Sequence, residues 1–207
     1  MATASPLGVF INCPFDTQYQ KFFDAIVFAV MRCGFVARCA REVDDGSGTR
    51  IDKIMKLIEE CPYGIHDISR TELDPASRLP RFNMPLELGI FFGAKRYGSK
   101  QQKKKQCLIL DRKKYRYQMF MSDIAGQDIH AHEQTLAKLI AHVRDFLQPI
   151  SGERLPGGAK ISADFEKFQK AKIKLCRSRD LDWKQLTFGD HTHVIGEWII
   201  EQRGVIV

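Results

Sequence analysis

Short apolar segments alternate with helical patterns over the first half of the chain, and this alternation is the feature that most constrains the fold. Four segments are short runs rich in β-branched, aromatic and other apolar residues, at 8–13, 35–40, 63–68 and 106–111. Between them, apolar residues recur at the three- and four-residue spacing of an amphipathic helix. Strands that alternate with helices favour a parallel sheet with right-handed crossovers.

The chain is therefore predicted to adopt an α/β fold, a flavodoxin-like (Rossmann-like) parallel sheet with flanking helices and a C-terminal helical extension. The three intervening helices are predicted at 22–34, 51–61 and 84–97. The third is apolar almost all round, so we expect it to be covered on more than one side. The polar segment 113–134 has a weak pattern and predicts no element, and a strong helical pattern follows at 136–147.

We divide the chain into an α/β domain, residues 1–150, and a helical C-terminal extension, residues 151–207. The stretch 151–160, which contains glycines and a proline, is predicted to be a linker. A basic amphipathic helix around 165–175 and a last helix at 191–202 are predicted beyond it. The extension is expected either to pack on the α/β core or to form a small subdomain.

Composition points to a soluble protein of the cytoplasm. No apolar run in the 207 residues approaches the ~18 needed to cross a bilayer. The N-terminus lacks the positive charge and apolar run of a signal peptide. The six cysteines are scattered and none forms a C-x-x-C pair. We expect them to be buried, reduced thiols.

Much of the net charge of +7 lies in two basic segments, 100–105 and 167–179. A basic surplus favours encounter with nucleic acid or with anionic ligands. The alternative is a solvated loop and a solvated helix face. No aromatic residue interleaves the first segment, whereas grooves that bind single strands usually carry stacking platforms. Both interpretations stay open, and the nucleic acid has the weaker support.

Two carboxylates are the candidate catalytic residues, Asp67 at the end of the third strand and Glu87 about one turn into the third helix. In an open α/β sheet, ligands bind at the carboxyl ends of the strands. Asn83 can cap this helix and Pro85 suits its first turn, so the helix dipole should favour ionised Glu87. The alternatives are an acid that only stabilises the helix and an Asx turn between Asp67 and Ser69.

Six residues form the predicted substrate-binding set: Asn12, Phe15, Asp16, Arg50, Asn83 and Gly89. The first three belong to the loop after the first strand, which commonly lines the ligand crevice in doubly wound folds. Arg50 follows a glycine-rich loop and could meet a phosphate, while Gly89 is expected to allow close approach of helix and sheet. An ordinary turn accounts for the first loop equally well, and for the loop before Arg50 the ordinary turn is the favoured interpretation.

Three histidines, His66, His130 and His132, are candidate bases. His130 and His132 with Glu133 resemble a metal cluster only faintly, because residues two apart do not share a helix face. We predict no metal ion.

The pattern Asp67-Ile-Ser, a loop, and then Asn83-x-x-x-Glu87-Leu-Gly89 resembles a motif of nucleoside 2-deoxyribosyltransferase-like proteins and of the related bacterial TIR-like nucleotide-binding proteins. The opening segment 9–15 also resembles their first strand, and the likeness covers roughly residues 8–112. The resemblance implies a flavodoxin-like sheet and cleavage or exchange of an N-glycosidic bond, with Glu87 acting at the sugar C1′ carbon. Arg81-Phe82 precedes Asn83 where transferases often have Asp-Gly-Thr, which weakens deoxyribosyl transfer specifically.

The resemblance leads us to expect an N-glycosyl hydrolase or transferase that acts on a nucleoside, a nucleotide or NAD. By analogy, it also implies a role in bacterial antiphage defence. The alternative is a non-catalytic module of the same fold that senses a nucleotide or binds a partner. We expect no cofactor, with NAD or a nucleotide as substrate. The expected partners are this ligand and a second copy of the chain or another protein, with no membrane contact.

Overall fold

The computed structural model describes residues 7–42, 44–73 and 78–204, and side chains as far as residue 202. Its centre is a sheet of five parallel strands in the order β2-β1-β3-β4-β5. The strands are β1 (Gly8–Asn12), β2 (Val36–Cys39), β3 (Tyr63–Asp67), β4 (Gln106–Asp111) and β5 (Ile129–Ala131). This is the strand order of flavodoxin-like folds, and the predicted fold class is confirmed.

Six α-helices accompany the sheet in the described part of the chain. They are α1 (Gln20–Arg32), α2 (Arg50–Glu60), α3 (Asn83–Tyr97), α4 (Leu136–Ser151), α5 (Gly158–Arg177) and α6 (Phe188–Gly204). Alternate residues of β1 show how the layers form. Val9 and Ile11 belong to the core that contains α1 and α4, whereas Phe10 belongs to the core that contains α2 and α3. Helices therefore cover both faces of the sheet, as the apolar strands require.

The segment 113–134 contains structure that the sequence pattern did not predict. Two short 3-10 turns lie at Arg116–Met119 and Ser122–Ile124, and β5 pairs with β4 at the edge of the sheet. β5 has only three residues, two of which are half-buried. Such a short edge strand lacks the continuous apolar run by which the other strands can be predicted.

The C-terminal helices α5 and α6 pack against the α/β part rather than apart from it. Phe28 of α1 stacks on Phe168 of α5 with ring centroids 5.4 Å apart, and Trp198 of α6 lies 5.5 Å from the same Phe28 ring. The rings are buried together with residues of α4 in one apolar core. Burial on this scale, at roughly 1.5–3 kcal/mol for each large side chain, ties the extension to the sheet.

Among the described residues, no helix is both long and apolar enough to cross a membrane. All six cysteines are free thiols, five of them buried and Cys107 half-buried. This agrees with the predicted reduced thiols.

One lysine of the first basic segment is not solvated. Lys105 is 2% exposed, and its ammonium group donates to the carbonyls of Ile58 and Cys61 at the end of α2. It also lies 5.1 Å from the centre of the Phe91 ring. Burial lowers its pKa to about 8. Lys105 therefore satisfies carbonyls at a helix C-terminus, and the exposed charge of this segment comes from its other lysines.

Candidate functional site

The strand order places a topological switch point at the carboxyl ends of β1 and β3, and we call the region around this point the crevice. These strands are neighbours, but the chain leaves β1 for β2 on one side and builds β3 and β4 on the other. The connections that follow β1 and β3 therefore diverge, and ligands of doubly wound folds bind at this switch point. Asn12 ends β1 and Asp67 ends β3, so both predicted residues lie at the crevice.

Glu87 combines burial with a free carboxylate. It is 7% exposed in the second turn of α3, and no described residue donates a hydrogen bond or an ion pair to it. Burial raises the pKa of Glu87 to about 7, although the nearby Arg50 guanidinium acts in the opposite direction. Burial therefore outweighs the nearby cation, and Glu87 is not held in the ionised form that its position near the helix N-terminus was expected to favour. Near neutral pH, this carboxyl is available both as an acid and as a carboxylate.

The start of α3 differs from its prediction at two positions. Phe82 occupies the N-cap position without a side-chain cap bond, and Asn83 is the exposed first residue of the helix. Asn83 is therefore not the predicted N-cap. Gly89 is exposed, and no atom lies within 4 Å of the place where its Cβ would be. It does not allow close helix–sheet approach, because it faces away from the sheet.

Asp67 is fully buried, and both of its oxygens have partners inside the protein. Oδ1 accepts a 2.8 Å bond from the Ser69 N–H, which is the Asx turn that the sequence offered as an alternative. Oδ2 accepts a 2.5 Å bond from the Tyr19 hydroxyl and lies 3.3 Å from Nε2 of His132. This geometry suits a group that fixes the floor of the crevice, and a catalytic role for Asp67 stays a prediction.

The side-chain amide of Asn12 is likewise bound by contacts within the protein. It is 1% exposed, and its amide donates to the Met84 carbonyl at 2.8 Å and lies 3.0 Å from Nδ1 of His66. The contact ties the end of β1 to the first turn of α3. His66 is completely buried between the rings of Phe10 and Phe91, and burial lowers its pKa to about 3. His66 is therefore a neutral imidazole near pH 7 and a weak proton acceptor, which disfavours its predicted role as a base.

Cationic side chains line the outer rim of the crevice. Arg70 and Arg81 lie 3.4 and 3.3 Å from the same Asp16 oxygen, and Arg50 is the exposed first residue of α2. The other Asp16 oxygen accepts from the Tyr19 N–H at 3.0 Å, so Asp16 also fixes the entry to α1. Three guanidinium groups around two acids, Asp16 and Glu87, suit an anionic ligand such as a phosphate.

Phe15 is half-buried, and its ring is less free than the predicted stacking wall would be. It meets the Phe23 ring edge-on at 5.4 Å, and the Arg41 guanidinium lies 5.9 Å from its centre. Cys13 lies behind it. Burial, followed by the charge of Asp67, raises the pKa of this thiol well above its usual value. Cys13 therefore stays a neutral thiol and is not a nucleophile.

Sequence reasoning assigned no role to Tyr19 and did not connect His132 with Asp67. Both reach Asp67 only because α1 and the connection after β5 pack over the end of β3. A second buried acid, Asp111, could be located from the sequence, because β4 also ends in an aspartate. Asp111 is buried and accepts from Arg116 at 2.8 Å, and Arg116 also donates to the Ile68 carbonyl. The strand-end position was a signal for Asp111, but nothing in the pattern singled out Tyr19.

His130 and His132 lie close in the chain but take separate partners. No group of three potential metal ligands occurs among residues 7–42, 44–73 and 78–202. The His130 ring packs at 4.9 Å on His142, whereas Nδ1 of His132 accepts from the Gln134 N–H at 3.0 Å. Residues two apart on a strand point to the same face, so the different partners of the two rings follow from the end of β5 at Ala131.

Part of the charge on the basic helix α5 is neutralised by contacts within the protein. Lys160 pairs with Asp164 at 2.6 Å and Lys172 with Asp24 at 3.3 Å. Lys167, Lys170 and Lys174 remain exposed. The solvated-face interpretation thus accounts for these exposed lysines without a nucleic acid.

No family model, curated protein or solved structure matches this chain. The candidate site is therefore defined by its own geometry: a switch-point crevice, one buried and unpartnered carboxylate, and a cationic rim.

Proposed function

We propose that the protein is an N-glycosyl hydrolase or transferase that acts on a nucleoside, a nucleotide or NAD. The observation that carries the proposal is Glu87, a buried carboxylate without a protein partner beside the switch point. Cleavage of an N-glycosidic bond develops positive charge at C1′, and a carboxylate can attack that carbon or stabilise the charge. The motif resemblance around Glu87 supports the same chemistry.

The cationic rim supports a substrate that carries phosphate. Arg50, Arg70 and Arg81 would bind the phosphate or pyrophosphate, while Glu87 faces the ribose. Asp67 would act through Tyr19 and His132, by holding the loops around the sugar. A single free carboxylate suffices for this scheme when the leaving base departs with little assistance. The nicotinamide of NAD does so, because its ring is positively charged before cleavage and leaves as a neutral molecule.

The Glu87→Gln variant tests the proposal. With NAD and a panel of ribo- and deoxyribonucleosides, we expect the wild type to release free base, measured by chromatography. The variant should lose at least about a hundredfold in rate, because the amide cannot balance the charge that develops at C1′. Release that persists in Glu87→Gln would remove Glu87 from the mechanism.

The pH dependence of kcat/KM tests which ionisation state of Glu87 acts. If the carboxylate form of Glu87 acts, kcat/KM should rise with pH through about 7, the raised pKa of Glu87. Arg50→Ala removes the cation that lowers this pKa, so the rise should move to higher pH. Lys56→Ala, on the exposed face of the same helix, should leave the profile unchanged. A profile that falls with pH in this range would assign Glu87 the role of an acid instead.

One observation favours the alternative, a nucleotide sensor without turnover. Both oxygens of Asp67 are hydrogen-bonded within the protein, so Glu87 is the free carboxyl group of the two candidates. Glycosidases usually use a pair of carboxyl groups. Tight binding of a nucleotide without base release, unchanged in Glu87→Gln, would support this alternative.

The proposed oligomer uses the outer face of α3. Phe82 and Leu86 are 63% and 56% exposed, and Gly89 lies on the same face. Exposed apolar patches of this kind mark interaction sites, and a glycine allows two helices to approach closely. Two copies can pair these faces about a two-fold axis, since such an interface uses the same patch on both subunits.

We expect the wild type to sediment as a dimer and Leu86→Lys as a monomer, because a charge would be buried at the centre of the interface. Met119→Lys, at a residue that is 87% exposed and lies outside α3, is the matched control and should stay dimeric. A monomeric wild type would contradict the proposed interface.

A further inference from the structure

A cavity separate from the Glu87 crevice lies between the α/β part and the C-terminal helices. Its volume is about 460 Å³, within the usual range for small-molecule sites. α1, the segment after β2, α5 and the 183–188 segment before α6 all contribute to its walls. The cavity exists only because the C-terminal extension folds back onto α1.

The charge of this cavity is strongly positive. Lys21, Arg41, Lys172 and Lys184 line it, against the single acid Asp24. Lys172 is engaged with Asp24 at 3.3 Å. The other three cations have no acidic partner among the described residues, and all three are exposed. Such a surplus attracts an anion.

Aromatic rings form the remaining wall. Trp183 is 39% exposed at the cavity, and the Lys184 ammonium lies 5.5 Å from its ring centre. Phe23 and Phe188 are buried behind it, with ring centroids 6.2 Å apart. A half-exposed indole beside cations is a platform on which a flat ring can stack.

A buried polar group at the cavity lacks a hydrogen bond. His191 is 5% exposed and lines the cavity, and its Nε2 has no hydrogen-bond partner among the described residues, although it lies 3.4 Å from Asp24. Burial lowers the pKa of His191 to about 4, so the ring is neutral near pH 7. An unsatisfied buried polar atom is costly unless a ligand or water completes it.

We propose that this cavity binds a mononucleotide-sized anion, a phosphate that carries a flat aromatic ring. The ring stacks on Trp183, the phosphate is held by Arg41 and Lys184, and His191 accepts or donates one hydrogen bond inside the cavity. A walled cavity of this volume admits one nucleotide unit rather than a length of strand. The proposal does not depend on the chemistry of Glu87.

Adenosine monophosphate is the first probe. Trp183 is the exposed one of two tryptophans, since Trp198 is 3% exposed, so binding should change its fluorescence. We expect a saturable change with one site for each chain. Adenosine and inorganic phosphate should each bind at least tenfold more weakly, because each supplies half of the contacts.

Charge-reversal variants locate the site. Arg41→Glu and Lys184→Glu should each weaken binding at least tenfold. Lys167→Glu, exposed on α5 outside the cavity, should bind as the wild type does. Calorimetry with Trp183→Phe, which removes the fluorescent reporter but keeps a ring, should retain binding within a few-fold.

Three results would overturn the proposal. One is the absence of saturable binding by folded wild type. The second is binding that Arg50→Glu abolishes and Lys184→Glu leaves intact, which would place the nucleotide in the Glu87 crevice. The third is binding of a single-stranded oligonucleotide without binding of the mononucleotide.

Discussion

Asp67→Ala is expected to lose about 2–6 kcal/mol of unfolding free energy, because it leaves two buried donors without an acceptor, each costing about 1–3 kcal/mol. The donors are the Tyr19 hydroxyl and the Ser69 N–H, bound to Asp67 at 2.5 and 2.8 Å. Asp67 itself is fully buried, so water cannot replace its oxygens. Urea unfolding at pH 7, with linear extrapolation, measures the loss.

The chain contains its own control for this prediction. Asp45 makes the same Asx turn in the same Asp-x-Ser spacing, with its Oδ1 accepting from the Ser47 N–H at 2.8 Å. Asp45 is exposed, so water can satisfy the freed N–H in Asp45→Ala, and we expect a much smaller loss. Equal losses in the two variants would show that the Asx turn, rather than burial and Tyr19, accounts for the effect.

A conservative variant separates the structural role of Asp67 from a catalytic one. Asp67→Asn keeps one acceptor for Ser69, so it should be more stable than Asp67→Ala. If Asp67 only positions the loops, base release should survive in this variant, in proportion to the fraction of the protein that is folded. A complete loss of base release in folded Asp67→Asn would support a catalytic role for Asp67.

Between pH 6 and pH 4, the stability gap between wild type and His66→Asn is expected to narrow by about 1.4 kcal/mol for each pH unit. The pKa of His66 is lowered from its ordinary value of about 6.5 to about 3 by complete burial. In this range, the unfolded chain binds a proton at His66 and the folded chain does not. Lowering the pH therefore destabilises the wild type through His66, and the His66→Asn substitution removes this contribution.

Comparison with a variant is necessary because other groups titrate in the same range. His191, with a pKa lowered to about 4, adds to the acid destabilisation. Glu87, with a pKa raised to about 7, acts in the opposite direction, since its folded form binds the proton first. These contributions cancel in the difference between wild type and variant when the sites are independent.

His193→Asn is the matched control, since His193 has a side chain that is 65% exposed. His193 pairs with Glu197 at the surface, at 3.4 Å, and such pairs contribute little, so the unfolding free energy of this variant should stay nearly parallel to that of the wild type. Urea unfolding at four or five pH values measures all three proteins. A constant gap between wild type and His66→Asn would show that His66 is protonated in the folded state, contrary to its burial.

The fold could be predicted because its strands carry their own pattern. β4 occupies the predicted residues 106–111, and β1 and β3 differ from prediction by one residue at their ends. β1, β3 and β4 are largely buried on both faces, which demands a continuous apolar run that is visible in sequence. β5 could not be predicted, because three residues at the sheet edge need no such run.

The sequence also located the candidate site, since strand ends and helix starts bring Asp67 and Glu87 to one edge of the sheet. The sequence could not assign the hydrogen-bond partners or the protonation states of these two carboxyl groups. Tyr19 lies 48 residues from Asp67 along the chain, and only packing of α1 against β3 joins them. The local dipole favours ionised Glu87, but burial, a tertiary property, raises its pKa to about 7.

The sequence by itself thus determined the order of elements, the parallel sheet and the edge where the carboxylates gather, because these follow from local periodicity and chain direction. Only the tertiary structure decided which carboxylate is free, since hydrogen-bond partners and desolvation come from residues distant in the chain. The tertiary structure alone also formed the cationic cavity around His191, because its walls come from segments as far apart as α1 and α6.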